Sequence, residues 1–366
     1  MKIAIIGAGI VGSTLAFYLH QNGLEDVTIY DYGQGQATKA AAGIICPWFS
    51  KRRNQAWYQM ANKGADFYQK LVSDFKAQGQ STDFYQQNGV YLLKKNDSKL
   101  EELFEIAQAR LESSPIIGEL RIFEKTEVLE IFPGLEGFER VLYASGAARV
   151  DGSDLCQSLL AATPYPILKE KVSLKLSEGK YQIKGQSYDQ VFLTSGAWLG
   201  QILKPLGYQV DIRPQKGQLL DYQLQYLNTD QLPVVMPEGE IDLIPFFAGK
   251  LSIGASHEND KGFDLTEDER VLRTLAESAQ TYYPAIADSK PSSVRIGTRA
   301  YTSDFSPFFG QVPGQKGLYA ASGLGSSGLT IGPLIAYELV NLFLGQETIL
   351  KTSDYPIENY VWQGLK

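Results

Sequence analysis

Three glycines and one aspartate near the start of the chain have the spacing of a dinucleotide cradle. Gly7, Gly9 and Gly12 form Gly-x-Gly-x-x-Gly between an apolar run, residues 1–6, and a helix-compatible run, residues 13–21. Gly7 permits the tight turn out of a strand. Gly9 leaves room for a pyrophosphate against the backbone, and Gly12 permits close packing of helix on strand. Free N–H groups at the helix start then face the phosphates. A second strand, residues 26–31, ends in Asp31, about twenty residues after the glycines, where an acid can hold a ribose hydroxyl. Asp31 disfavours the 2′-phosphate of NADP, because two anions would meet there. On these residues alone the nucleotide could be NAD, NADP or FAD.

The elements that must position this cradle follow from pattern and length. At 366 residues the chain is too long for one ordinary core, which predicts two domains. Residues 1–80 read as α/β: strand, helix, strand, a small-residue loop at 37–43 and a helix over 54–75. Residues 84–95 read as a hairpin-type strand pair, and 99–111 as an amphipathic helix. An apolar strand at 190–193 enters a second glycine turn around Gly196 and Trp198. Residues 213–256 are strand-rich and 264–283 helical; the last seventy hold a strand, a glycine-rich loop and a closing helix. The expected fold is α/β. A Rossmann-like nucleotide domain (1–80, 143–212 and 296–366) interleaves with a mainly antiparallel β-sheet substrate domain (81–142 and 213–295), with the substrate over the cofactor at their junction.

Composition narrows the class. Hydrophobic content of 44% with 20% charge is globular, and a net charge of −7 argues against a nucleic-acid surface. The longest basic run is Lys51-Arg52-Arg53. Two cysteines, Cys46 and Cys156, fit a reducing cytoplasm, and no Cys/His spacing suggests a metal site. The apolar start has one lysine and no small-residue cleavage site, so it is expected to be the first strand rather than a signal peptide. Residues 329–344 carry Glu338 and Asn341 and read as a packed amphipathic helix, not a membrane span. Homo-oligomerisation is left open.

Several segments, in order, resemble the D-amino-acid oxidase family of flavoenzymes. They are the fingerprint, Ala40-Ala41-Ala42-Gly43, residues 189–198, 213–218, Ile244-Pro245, residues 251–258 and the C-terminal segments 299–310 and 320–333. Size and motif order are most similar to the glycine oxidase and sarcosine oxidase-like branch. The resemblance implies non-covalent FAD and oxidation of the C–N bond of a small amine or amino acid (a D-amino acid, glycine or an N-methyl amino acid), with hydride passing to flavin N5. It implies cofactor contacts at Gly7, Gly9, Gly12, Asp31, Ala41, Ala42, Gly43, Val172, Gly196, Trp198, Gly325, Ser326, Ser327, Gly328, Leu329 and Thr330. In the last six, backbone N–H groups at a helix start would face the flavin pyrimidine edge, with Pro333 near the first turn. Arg299 falls where the family grips the substrate carboxylate, a task suited to a planar, always-charged guanidinium. An alternative role for Arg299 is a structural pair with Asp304 or a backbone carbonyl. His257 follows a strand at a position that faces the active site in relatives, and Arg52 is the nearest match to an arginine of sarcosine-type relatives.

Departures from the family pattern sharpen the expectations. Asp242 stands where glycine oxidases have a tyrosine; its carboxylate would repel a substrate carboxylate or bind an amine. The family's flavin-linking cysteine and oxygen-reactive lysine correspond to Arg299 and Ser252, which argues against a covalent flavin. Oxidation of a 2-hydroxy acid or glycerol phosphate on the same fold, a nicotinamide dehydrogenase, and a non-catalytic FAD-binding subunit are the alternatives.

Overall fold

A computed structural model describes residues 1–52 and 54–364; Arg53 lies outside the described residues. Its helices are α1 (Ile10–Gln21), α2 (Gln55–Ala77), α3 (Asp97–Gln108), α4 (Lys125–Ile131), α5 (Gly152–Ala161), α6 (Leu199–Leu203), α7 (Glu269–Gln280) and α8 (Gly328–Leu344). A six-stranded sheet runs in the order Phe308–Gln311, Leu318–Ser322, Gln190–Leu193, Ile3–Ile6, Val27–Tyr30, Ile167–Leu168. All its neighbours are parallel except the first pair. Ile3–Ile6 and Val27–Tyr30 are buried at every position, as expected for parallel strands covered on both faces. Helices α1, α5 and α8 pack together over this sheet, and α2 packs on α8.

The second large sheet has eight strands in the order Ser293–Tyr301, Arg213–Gln223, Lys250–Gly254, Asp242–Pro245, Val234–Met236, Val90–Leu93, Arg140–Ala144, Leu120–Glu124. Every pairing is antiparallel except that of Val234–Met236 with Val90–Leu93. Its Ser293–Tyr301 strand straddles the 295/296 boundary expected from the sequence.

Three local readings change. Residues 84–95 do not form a hairpin. Gly89, at φ +82°, turns the chain so that Tyr85–Gln86 pairs with Ala148–Val150 while Val90–Leu93 pairs with Arg140–Ala144. Helix α7 begins only at Glu269. The preceding Asp264 accepts the Thr266 amide at 3.0 Å and faces Lys216 Nζ at 3.1 Å, which holds the segment in a loop, and Asp268 caps the helix. Pro333 sits in the second turn of α8, not its first. Without an N–H it leaves the Leu329 carbonyl free, and Tyr68 Oη donates to that carbonyl at 2.6 Å. By length and composition alone the Gly325–Leu344 segment is apolar enough to cross a membrane. Here 67% of its most apolar stretch is buried within the protein, and the buried Glu338 carboxylate accepts the Ile349 and Leu350 amides at 3.0 Å each.

Candidate functional site

Both large sheets present residues to one cavity of about 880 Å3. The glycine fingerprint opens it. Gly7 adopts φ +105°, and a Cβ there would lie 2.5 Å from the Thr194 carbonyl oxygen. At Gly12 a Cβ would lie 1.8 Å from the Gly7 carbonyl oxygen, so Gly12 serves packing and does not itself line the cavity. Gly9 lines it, and a methyl added there would meet only Thr38 Oγ1, at 3.3 Å.

Helix capping separates the cavity from the rest of the molecule. Helices α2, α3, α5 and α7 are capped by the side chains of Asn54, Asn96, Asp151 and Asp268. Helices α1 and α8, with Gly9 and Ser327 as N-caps, have no side-chain cap of their own, nor has the short α6 behind Trp198, and all three cap residues line the cavity. The Ile10 amide is met from a distant loop by Thr38 Oγ1 at 3.0 Å. The N-termini of α1 and α8, each bearing roughly half a positive charge, therefore converge on one space. Three buried polar atoms that find no partner among the described residues, Gln36 Oε1, Ser195 Oγ and Thr298 Oγ1, belong to residues lining the same space.

Asp31 lines the far end. Its Oδ1 accepts the Ala8 amide at 3.0 Å, and Gln36 Nε2 donates to both carboxylate oxygens, at 2.8 and 2.7 Å. Val172, Gly196 and Trp198 line it too, as do Ala41, Ala42 and Gly43. At Gly43, φ is +83° and a Cβ would strike the Val150 carbonyl oxygen at 2.0 Å, so the loop passes flush against a neighbouring strand. Arg295 fixes this loop to the antiparallel sheet: Nη1 donates to the Ala41 carbonyl at 2.9 Å, while Nε lies 3.0 Å from Asp221 Oδ2 and Nη2 donates to Ser252 Oγ at 2.9 Å. Burial pushes Asp221 up, but Arg295 and Ser252 outweigh it and hold the carboxyl below its ordinary value. Ser252, at the family's lysine position, is thus buried in this network and does not line the cavity. Residues 325–330, all six, do line it, and Ser326 donates its amide to Tyr301 Oη at 3.0 Å.

Arg299, His257 and Asp242 share the other end. Arg299 stands opposite Gln215 in register; its Nη1 donates to Gln215 Oε1 at 3.0 Å and to the Ser256 carbonyl at 2.9 Å. Gly217 lets the guanidinium lie against the strand, since a Cβ there would meet Nη1 at 2.8 Å. Asp304 instead accepts from Thr302, Ser306 and Tyr360, which removes the ion-pair alternative for Arg299 while leaving the carbonyl contact. Among the described residues no carboxylate pairs with Arg299, and burial lowers its pKa. His257 lines the cavity wall; partial desolvation of its ring there and then Arg299 lower its pKa, with Glu240 opposing. The Asp242 carboxyl has no hydrogen-bond partner among the described residues, and burial pushes it up to about 7, against the pull of Lys94.

Of the basic run, Arg52 lines the cavity with its guanidinium 4.4 Å from the Trp57 ring centre, whereas Lys51 pairs with Glu102. Sequence reasoning missed Lys94, Glu240, Gln36 and Thr38, all of which line the cavity. Lys94 directly follows the apolar run 90–93, and Gly217 faces Gly297 across two strands; only the latter, as paired strand glycines, signals a close approach. No group of three or more His, Cys, Asp or Glu side chains placed to hold a metal ion occurs among the described residues, and burial raises both thiols, Cys156 to about 12.

Comparison with known proteins agrees with this geometry. The family of FAD-dependent oxidoreductases designated DAO matches residues 2–342. The chain is 40% identical to an uncharacterized oxidoreductase of Bacillus subtilis, YurR, over 96% of this chain and 97% of that one. It is 29% identical to the glycine oxidase of Pseudomonas aeruginosa, over 97% and 98%. The crystal structure of iminodiacetate oxidase from Chelativorans sp. BNC1 superposes with a TM-score of 0.92 at 30% identity, covering 97% of this chain and 99% of that one. With a family match over nearly its whole length, and the nucleotide cradle and cavity in place, the chain belongs to the DAO family of FAD-dependent oxidoreductases.

Proposed function

We propose that this enzyme oxidises the C–N bond of a small amine or amino acid that carries a carboxylate. The observation that carries the reading is Arg299, a guanidinium with no carboxylate partner among the described residues, in the same cavity as an unpartnered carboxylate, Asp242. A zwitterionic amino acid supplies the complement to both charges. Oxidases of glycine and of iminodiacetate are among the relatives, and both of those substrates combine an amine with a carboxylate.

The residues fit FAD. Two uncapped helix starts suit phosphates and the electron-rich edge of a reduced ring, and the orphaned Gln36, Ser195 and Thr298 atoms await polar partners. Gly7, Gly9, Asp31, Val172, Gly196, Trp198 and the 41–43 loop would hold the nucleotide, and residues 325–330 the ring, without a covalent bond. FAD, when bound, supplies a two-electron acceptor for the hydride leaving the substrate's Cα. Arg299 fixes the carboxylate and so orients Cα; its contacts to Gln215 and Ser256 keep it from swinging. The ammonium must lose a proton before oxidation, and Asp242, an unpartnered carboxyl in the same cavity, is the group proposed to receive it. His257, held towards its neutral form, adds no second cation beside Arg299.

Arg299→Ala should retain FAD and lose on the order of 100-fold in kcat/KM for carboxylate-bearing amines, the worth of one charge-assisted bidentate contact. Equal turnover by this variant and wild type would remove Arg299 from the substrate site.

A further inference from the structure

A second cavity of about 470 Å3 adjoins the first and shares with it a wall of Cys46, Pro47, Trp57, Leu92, Lys94 and Met236. Its remaining lining combines apolar Phe49 and Leu103 with Lys51, Lys99 and Glu238 near the rim. The cations at the rim are spent: Lys51 pairs with Glu102 and Lys99 with Glu238. Glu238 also accepts the Lys95 amide at 3.4 Å. Lys94 differs. It stands between the two cavities, two residues beyond Leu92, which pairs with Met236. It is partly buried and has no carboxylate within ion-pair distance among the described residues. Burial pushes its ammonium below the ordinary lysine value; Glu238 and Asp242 act on it only through space. A half-buried ammonium without a counter-ion is costly, and an incoming anion relieves that cost.

The geometry points to Lys94 and the adjoining cavity as a subsite for a second carboxylate on the substrate, so that the preferred substrate is an amino dicarboxylate. This rests on the amine-oxidation reading above. One carboxylate lies on Arg299, the amine faces Asp242, and the second acidic arm passes Asp242 to end at Lys94, its methylenes against Leu92, Trp57 and Met236. The arm can be a substituent on nitrogen, as in iminodiacetate, or a side chain, as in D-aspartate and D-glutamate.

The test uses the FAD-loaded enzyme and its Lys94→Met and Lys94→Arg variants. Values of kcat/KM are compared for glycine and sarcosine against iminodiacetate, D-aspartate and D-glutamate. Calorimetric titration with the non-reacting acids succinate and acetate gives a readout without turnover. The expected result is a diacid-to-monoacid ratio of about ten or more in wild type, lost in Lys94→Met and kept in Lys94→Arg, with succinate binding weakened in parallel. Preference for iminodiacetate over the two D-amino acids places the arm on nitrogen, and the reverse places it on the side chain; either supports the subsite. An equal ratio in wild type and Lys94→Met overturns the subsite while leaving amine oxidation intact. Failure of every amine to react overturns both.

Discussion

Asp242 concentrates the chemistry at the scale of single residues. Its carboxyl titrates near 7 because the cavity desolvates it, and only the ionised form can take a proton from an ammonium. The rate constant kcat/KM should therefore rise through about pH 7, and Asp242→Asn should flatten that limb. A retained limb in the variant would assign it to another group. Linkage fixes a second sign. A carboxyl whose folded pKa is raised favours the folded state fully below its unfolded value and loses that contribution as pH rises through about 7. Asp242→Asn should thus raise the melting temperature of the FAD-free protein at pH 8 and leave it unchanged at pH 4. The substitution of this position was visible in the sequence. Its missing hydrogen bonds were not, because they depend on which strands face it.

At the scale of elements, the starts of α1 and α8, which lack side-chain caps, carry the proposed nucleotide site. Gly9→Ala separates folding from binding. The added methyl meets only Thr38 Oγ1, at 3.3 Å, so the FAD-free fold should survive with a change in stability of about 1 kcal/mol or less. The same methyl would intrude where the proposed site puts the pyrophosphate, so FAD affinity should fall at least about tenfold. Equilibrium dialysis with FAD, beside thermal melts of the stripped protein, reads both. Unchanged FAD affinity would move the phosphates elsewhere. That Gly7, Gly9, Asp31 and the 325–330 turn line one cavity was legible because backbone requirements leave a local signature. Lys94, Glu240 and Thr38 were not, since each reaches the cavity through the packing of segments distant in sequence, which no local pattern records. The mistaken hairpin at 84–95 has the same cause: alternation marks a strand without naming its partner.

Over the whole molecule, Arg295 joins the antiparallel sheet to the 41–43 loop that lines the cavity. Arg295→Met should destabilise the protein by about 3 kcal/mol, because Asp221 is left buried and unpaired, and should speed FAD loss by freeing the Ala41 carbonyl. Asp221, held below the ordinary carboxylate value, contributes stability that is present above that value and lost as pH falls through its depressed one. The penalty of Arg295→Met should therefore shrink as the pH falls below about 4 towards that depressed value and the carboxyl takes up its proton; a penalty independent of pH would show that packing, not charge, dominates. The two-sheet architecture was legible from the alternation of apolar strands and amphipathic helices. Placing the sheet boundary was not, since the Ser293–Tyr301 strand runs through it without a break. The central claim is that one cavity holds FAD at its glycine-lined end and an amine with a carboxylate at its Arg299 end. Anaerobic titration of the purified protein, followed in the visible spectrum, tests it most directly. The account predicts a yellow protein whose flavin absorption bleaches with glycine, N-methyl amino acids, D-amino acids or iminodiacetate; a colourless protein, or bleaching by 2-hydroxy acids or glycerol phosphate and by no amine, would contradict it.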